Sequence, residues 1–581
     1  MKRRNRVLTA VMTGMLGIST VLSGCGSSAG NAAKGSSDEK VSTATKEAGD
    51  TKASESDTAQ TDNTLVIALQ SNSFITDYED NNLTKYYKEK LGIDIQFVLL
   101  PTDNSELLTK LSLMTASGEE LPDILLTSAL SNEVILQYGK DGFFLSVRDY
   151  LNDAEKMPNF NAIPQEDREE MLVSGTQADG NIYSFANSQE NPWNLTPYRY
   201  YINRTWLDKL GMEVPQTLEE LKEVLIAFRD QDPNGNGIQD EIPVYGMQGG
   251  SYGENILMAL MNSFVFTNDP VFSLNAEGTQ VVPVCTCEEW KQGLTWMNEL
   301  YQEGLLAPGI FTDDSTQFKA TLNAEENIVG LVCMGSYGNW TDTINNVNFK
   351  DMEMIVPFTG ENGNCYTPYT PYTPAQTMYI FSDSDKIDLA VKFADECYDS
   401  YTGLVERYGI ENEHWTKDAA QLEGLTNSYI EAGLYDEVTM ALLNNIWSVN
   451  NNVTWRDVSP RYLSLEDICT LADITTGREY NSDNPYNLMA FNLKYYNDKH
   501  PEYVLPTLKY TAEETEQILD AKANIPSYVK QAMAEFITGA RDVESGWSQY
   551  VSDLESMGLS TWQKAAQAAY ERTSQYEEAS K

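Results

Sequence analysis

From Thr64 the chain alternates short apolar runs with longer amphipathic ones. Thr64 to Leu69 (Thr-Leu-Val-Ile-Ala-Leu) predicts a strand buried on both faces, and Asn82 to Leu91 has helical spacing. Ile93 to Leu99 predicts a second strand, Ser105 to Ala116 a helix, and Asp123 to Thr127 a third strand. Strands alternating with helices predict an α/β fold with a parallel sheet covered on both faces, whose ligands sit beyond the carboxyl ends of the strands. The loops after Leu69 and Leu126 are therefore candidate cleft loops, and they present Asn72, Ser73 and Ser128. A folded part of about 520 residues exceeds what one hydrophobic core serves, which predicts two lobes.

The first 62 residues obey a different pattern. Lys2, Arg3, Arg4 and Arg6 precede an apolar, small-residue stretch from Val7 to Leu22 that is too short and too interrupted to span a bilayer. It closes on Leu22-Ser23-Gly24-Cys25, which resembles the lipobox of bacterial lipoproteins and implies cleavage after residue 24 and a lipid on Cys25. Residues 26 to 62 are almost all Gly, Ser, Ala, Thr, Asp, Glu and Lys, a composition that cannot build a core. As a flexible coil this segment reaches roughly 30 to 37 Å. The expected layout is a signal peptide (1–24), a lipidated Cys25 with its tether (25–62), and a body displayed at the outer face of the cytoplasmic membrane.

Charge narrows the partners. With 86 acidic against 40 basic residues the net charge is -46, and no basic run offers the footprint that nucleic acid needs. Beyond Cys25 six cysteines remain: Cys285, Cys287, Cys333, Cys365, Cys397 and Cys469. A body of this size does not depend on disulfides, so these are expected to be mostly reduced thiols.

The sharpest internal motif is Asp232-Pro233-Asn234-Gly235-Asn236-Gly237-Ile238-Gln239-Asp240-Glu241, behind a helix expected over Thr217 to Phe228. Oxygen-bearing side chains at 232, 234 and 236, a backbone carbonyl at Ile238 and acids at 240 and 241 match what a hard cation requires. Pro243 stands where an EF-hand has its closing Glu, so Glu241 takes that part in the expected structural calcium site.

Tyr201-Ile202-Asn203-Arg204-Thr205-Trp206-Leu207-Asp208-Lys209-Leu210-Gly211, followed by Val214-Pro215-Gln216-Thr217-Leu218-Glu219-Glu220-Leu221, resembles extracellular family 1 solute-binding proteins of ABC transporters. With the calcium loop behind it, the stretch is similar to the large oligosaccharide-binding lipoproteins that include the alginate-binding proteins. The resemblance implies a periplasmic-binding-protein-like fold of class II type, each lobe a mainly parallel sheet flanked by helices, with the ligand cleft at the hinge. It implies lobe 1 over 63–185, lobe 2 over 186–356, a hinge return completing lobe 1 over 357–410, and a segment over 411–581 that lines the cleft and adds C-terminal helices mainly to lobe 2. The implied function is a monomeric, non-catalytic receptor that delivers an oligosaccharide to ABC permease subunits. A secreted, membrane-anchored carbohydrate-active enzyme is the alternative, since glycoside hydrolysis needs only two well-placed carboxylates.

Sugar rings stack on aromatic faces, which makes aromatics on Gly-, Pro- or Asn-rich loops the candidate contacts. These are Trp193, Tyr252, Tyr337, Trp340 and Trp455, and the resemblance strengthens Trp340 and adds Trp415. Trp206, Trp296, Trp547 and Trp562 stand in helical context and are expected in the core. The repeat from Tyr366 to Pro374 predicts an extended hinge-side segment, with Tyr369 and Tyr372 as a further candidate ladder.

Overall fold

A computed structural model describes residues 63–580 apart from 251, 342–344, 445, 447, 448 and 475–486. The signal segment, Cys25 and the tether expected over 1–62 lie outside the described residues.

Two sheets organise the body. The larger has six strands in the order Arg461–Leu463, Phe185–Gln189, Ala375–Ile380, Ile124–Leu126, Thr64–Gln70, Asp94–Leu100. The three early strands pair in parallel, with Leu69 level with both Leu99 and Leu126, as the apolar runs predict. The period of two sorts their side chains. Leu65, Ile67 and Leu69 enter one core with Met378 and Ile380, while Ala68, Leu125 and Tyr379 enter the core on the other face. The helix Asn82–Leu91 covers this sheet and ends at Gly92 in the left-handed region, where its backbone N–H returns to Lys88.

The smaller sheet runs Met352–Ile355, Arg199–Asn203, Val329–Met334, Ile242–Tyr245. Its faces are sorted in the same way: Tyr200, Ile202, Leu331 and Cys333 face a large helical core, Tyr201, Val332 and Met334 a smaller one. The large core takes Trp206, Trp290 and the helices Ala512–Thr538 and Leu559–Ser580, with Trp562 buried and Trp296 and Trp547 packed at its edge. The helix expected from Thr217 forms as Leu218–Asp230, with Thr217 and Glu220 closing a reciprocal capping box.

Strand direction departs from a mainly parallel reading in the smaller sheet. Only Ile242–Tyr245 runs parallel to its neighbour; the other two pairings are antiparallel. In the larger sheet Ala375–Ile380 also runs antiparallel to both neighbours, because the chain re-enters from the other end. The boundaries shift too. Phe185–Gln189 is a strand of the larger sheet, so the first lobe continues to residue 189. From 411 onward the chain divides rather than staying with the second lobe. Trp415, Met440, Trp455 and Leu463 pack into the larger sheet's core, and the second lobe's cores resume with Tyr496 and Tyr510.

The C-terminal portion is tied back to the first lobe by Lys509. Its buried ammonium donates to the carbonyls of Val173, Ser174 and Thr176 at the end of the helix Gln165–Gly175. Lys522 adds an ion pair to Glu133 at 2.7 Å. All six described cysteines are free.

Candidate functional site

The chain leaves the larger sheet at Gln189 and enters the smaller one at Arg199, and the crossing is built around Trp193. Asn191 caps the short helix Pro192–Leu195 by accepting the Trp193 N–H at 3.1 Å. Arg199, the first residue of its strand, is fully buried. Its Nε donates to Asn492 Oδ1 (2.7 Å), Nη1 to the Gly335 carbonyl (2.6 Å), and Nη2 to the Trp193 carbonyl. Burial pulls the guanidinium below its ordinary pKa. Gly335 in turn donates its N–H to the Tyr252 carbonyl at 2.7 Å. This close approach requires glycine twice. A Cβ on Gly253, at φ 83°, would fall 2.0 Å from the Pro197 carbonyl, and one on Gly335 would fall 2.5 Å from the Tyr252 ring.

Three candidates from different parts of the chain thus meet. The Tyr337 ring stands edge-on to Trp193 with centroids 6.0 Å apart, and the Tyr252 hydroxyl donates to Asn194 Oδ1 at 2.7 Å. Trp193 itself is buried, with the Arg199 guanidinium over its ring, while Tyr252 and Tyr337 remain half-buried and Asn194 is exposed, so the two tyrosines and the amide form the outward surface of the cluster. Burial pushes the Tyr252 phenol up, while the Arg199 charge opposes that rise.

A second group lies past the carboxyl ends of Thr64–Gln70 and Ile124–Leu126, neighbours in the larger sheet. Asn72, Ser73 and Ser128 are all at this rim, with Ser73 and Ser128 exposed. Gln70 joins the two loops, accepting from the Thr127 hydroxyl at 2.7 Å and donating to Asn104 at 2.9 Å. Asn72 Oδ1 accepts the Phe74 N–H at 3.0 Å. Phe74, 39% exposed with Arg456 5.0 Å from its ring centroid, is an aromatic surface that loop composition alone did not single out. Its signal was present: an aromatic within the Ser-Asn-Ser-Phe turn directly after a buried strand.

Three expected contacts are interior instead. Trp455 packs against Tyr87, Phe97 and Phe393 and donates its indole N–H to Thr84 at 3.0 Å. Trp415 packs on Tyr401 and donates to the Gly409 carbonyl at 2.7 Å. Trp340 lies between Tyr201 and Phe349. Each is at most 2% exposed, so protein atoms hold the surface a sugar ring would use. Polar neighbours in sequence misled here, because these loops fold inward over aromatic cores. Tyr369 and Tyr372 do not form a ladder: Tyr369 stacks on His500 at 3.9 Å, and the Tyr372 hydroxyl accepts the Gln189 N–H at 2.6 Å.

The loop from Asp232 to Glu241 is a separate constellation. Asp232, at φ 45°, accepts N–H groups from Gly235 and Gly237, both at 3.1 Å. Asn234 and Asn236 accept the N–H of Asn236 and Ile238 and turn their amide nitrogens to Asp240. The Ile238 side chain is 60% exposed, consistent with a contribution through its backbone. Both Glu241 carboxylate oxygens are buried without a hydrogen-bond partner, and burial, with Asp240 and Asp232 nearby, pushes that carboxyl up. Glu326, distant in sequence, reaches Asn236 at 3.0 Å and adds a further acid beside the loop. Among the described residues no three His, Cys, Asp or Glu side chains converge as a metal cage, so a cation here has to draw on amide and backbone oxygens as well. The orphaned Glu241 carboxylate fits that requirement.

Two α/β bodies joined through an aromatic crossing define the class of a two-lobed binding protein. The profile of the bacterial extracellular solute-binding protein family matches residues 74–400, and the chain belongs to that family. Among curated proteins it is 23% identical over 493 residues to the fructooligosaccharide ABC transporter substrate-binding protein FusA of Streptococcus pneumoniae, covering 84% of this chain and 86% of that one. The structure of FusA in complex with kestose superposes with a TM-score of 0.66 at 21% identity, over 88% of this chain and 99% of FusA; an EF-hand mutant of FusA matches equally. A human-milk-oligosaccharide (HMO) binding solute-binding protein from Bifidobacterium longum infantis gives 0.69 at 19% identity, over 88% and 99%. The alginate-binding protein AlgQ2 without calcium ion gives 0.57 at 20% identity, over 87% and 98%.

Proposed function

We propose that this chain is the oligosaccharide receptor of an ABC importer, a non-catalytic lipoprotein that takes its ligand between two lobes and hands it to membrane permease subunits. The observation that carries this reading is the cluster of Trp193, Tyr252 and Tyr337 on the interlobe crossing, backed by the buried Arg199. The half-buried Tyr252 and Tyr337 beside the exposed Asn194 amide, held in place by the buried Trp193, suit a pyranose or furanose, whose apolar face stacks while its hydroxyls bond to amide groups. Asn72, Ser73, Ser128 and Phe74, past the carboxyl ends of two strands of the larger sheet, would add further polar and aromatic contacts. The oligosaccharide ligands named for FusA and the Bifidobacterium protein support the same class of substrate.

Calcium belongs to this proposal as a structural ion. Asp232, Asn234, Asn236, the Ile238 carbonyl, Asp240 and Glu241 would hold it, giving Glu241 the partner it lacks. Bound there, calcium supplies charge neutralisation and a rigid loop. Among the described residues no helix is long and apolar enough to cross a membrane. Membrane attachment is assigned to Cys25, and Cys25→Ser is expected to release the processed protein from the membrane fraction.

Calorimetric titration of the purified body against a panel of neutral and acidic oligosaccharides tests the receptor reading, with a reducing-end assay on the same glycans alongside. Saturable one-to-one binding without product release is the expected outcome. Turnover of any bound glycan, or no binding across the panel, would sink it.

A further inference from the structure

A second concavity lies away from the Trp193 cluster. It encloses about 310 Å³ between the segment from Phe266 to Ser273, the crossing residues Thr370 and Pro371, the stretch from Val504 to Tyr510, and Trp562. Its walls are largely aromatic and aliphatic, with Asn268, Ser273, Thr370 and Thr507 adding polar groups. Trp562 and Phe272 meet edge to face at 5.0 Å, Trp562 donates its indole N–H to the Tyr510 hydroxyl at 3.1 Å, and Leu505 lines another side. One charged group faces this apolar space, the carboxylate of Asp269. Oδ1 accepts the Val271 N–H at 2.7 Å and the Phe272 N–H at 3.4 Å, while Oδ2 turns to solvent and no cationic side chain pairs with either oxygen among the described residues. Asp269 is an exposed residue at the rim of the cavity, and the apolar groups beside it push its carboxyl up.

We infer that this cavity is a binding site for a small ring-bearing primary amine, its ring enclosed by Phe272, Tyr510 and Trp562 and its ammonium on Asp269 Oδ2. Size, wall chemistry and charge each constrain the ligand. About 310 Å³ stands at the small end of ligand pockets and suits one ring with a short chain. Aromatic walls favour an apolar body, and they attract a cation near their faces. An unpaired carboxylate in such a setting is stabilised by a charge-assisted bond from an ammonium, which a hydroxyl of the same shape does not replace. The net charge of -46 concentrates cations around the protein further. The inference does not rest on the oligosaccharide reading, because the cavity shares none of Trp193, Tyr252 or Tyr337. The two are linked through Thr370, whose N–H donates to the Leu195 carbonyl at the end of the Trp193 helix.

The probe is 2-phenylethylamine, titrated into the purified body by calorimetry and followed by tryptophan fluorescence, with 2-phenylethanol as its uncharged isostere. The amine is expected to bind one to one. Asp269→Asn, which retains the acceptor for Val271, should weaken it about tenfold or more, and the alcohol should be weaker than the amine by a similar factor. Leu505→Trp fills the cavity and should abolish binding while the melting temperature stays close to that of the parent. If Asp269→Asn does not fold, the comparison of amine with alcohol and the Leu505→Trp variant still decide. Equal affinity for amine and alcohol, binding that survives Leu505→Trp, or no saturable binding at millimolar amine overturns the inference. So does competitive displacement of the amine by a neutral oligosaccharide, which would make the cavity part of the sugar site.

Discussion

The guanidinium of Arg199 lies 3.3 Å from the ring centroid of Trp193 while bonding to the carbonyl of the same residue, so one buried cation holds both the ring and the backbone of the crossing helix. No carboxylate neutralises it among the described residues; carbonyl and amide oxygens do that work instead. Arg199→Met leaves these buried acceptors without a donor. A loss of about 3 kcal/mol is expected in chemical denaturation, with oligosaccharide affinity falling alongside. Arg199→Lys should not restore either, because an ammonium cannot reproduce the planar fork.

Aromatic truncations should separate into two classes. Tyr337→Ala and Tyr252→Ala are expected to weaken oligosaccharide binding by about 2 kcal/mol, or roughly thirtyfold, with melting temperatures near the parent's. Trp455→Ala and Trp415→Ala empty the core of the first lobe and should cost about 3 to 5 kcal/mol of stability. Paired calorimetry and thermal melts read both quantities, and the reverse assignment would exchange the roles of the two sets.

Calcium removal should lower the melting temperature. At a free calcium concentration a hundred times its dissociation constant, the ion contributes about 2.7 kcal/mol by mass action. Glu241→Ala should abolish that increment while leaving the chelated protein no less stable than the chelated parent, since an orphaned buried carboxylate is removed. An identical calcium shift in both proteins would take Glu241 out of the site.

Glu406 predicts a dependence on pH. The residue is buried, accepts the Tyr87 hydroxyl through Oε1, has no partner on Oε2, and burial pushes its carboxyl up to about 8. The native state therefore keeps a proton that the unfolded chain has already released in the usual carboxylate range. Stability contributed by this group is complete at low pH and falls as pH rises toward about 8. Glu406→Gln should flatten that decline, and melting curves from pH 5 to 9 should show the variant gaining on the parent at the alkaline end.

Local pattern was legible wherever one segment decides its own state. Thr64 to Leu69 reads as a strand because Leu65, Ile67, Ala68 and Leu69 each find a core on one face or the other, and Thr217 reads as a helix start because its cap partner Glu220 lies three residues on. The oxygen spacing of the loop from Asp232 to Glu241 is equally local. What depends on distant partners was not legible. The orientation of Ala375–Ile380 is set by where the chain returns, not by its own residues. The loops of Trp415 and Trp455 look exposed in sequence, yet both rings are claimed by aromatic cores assembled from Tyr87, Phe97, Phe393 and Tyr401. Arg199 carried no signal as an anchor, since its acceptors come from residues 193, 335 and 492.

The placement of Ala375–Ile380 between Ile124–Leu126 and Phe185–Gln189 also sets an order of events for a chain emerging N-terminus first. Until some 380 residues are out, Ile124–Leu126 is an open sheet edge of three apolar residues, and Phe185–Gln189 has no neighbour to pair with, since its other partner, Arg461–Leu463, arrives later still. The first lobe therefore waits, unfinished and adhesive, through the synthesis of all four strands of the second sheet. A chain stopped before residue 375 should aggregate rather than yield a small folded domain, whereas one that extends past Leu463 has every strand of that sheet to hand.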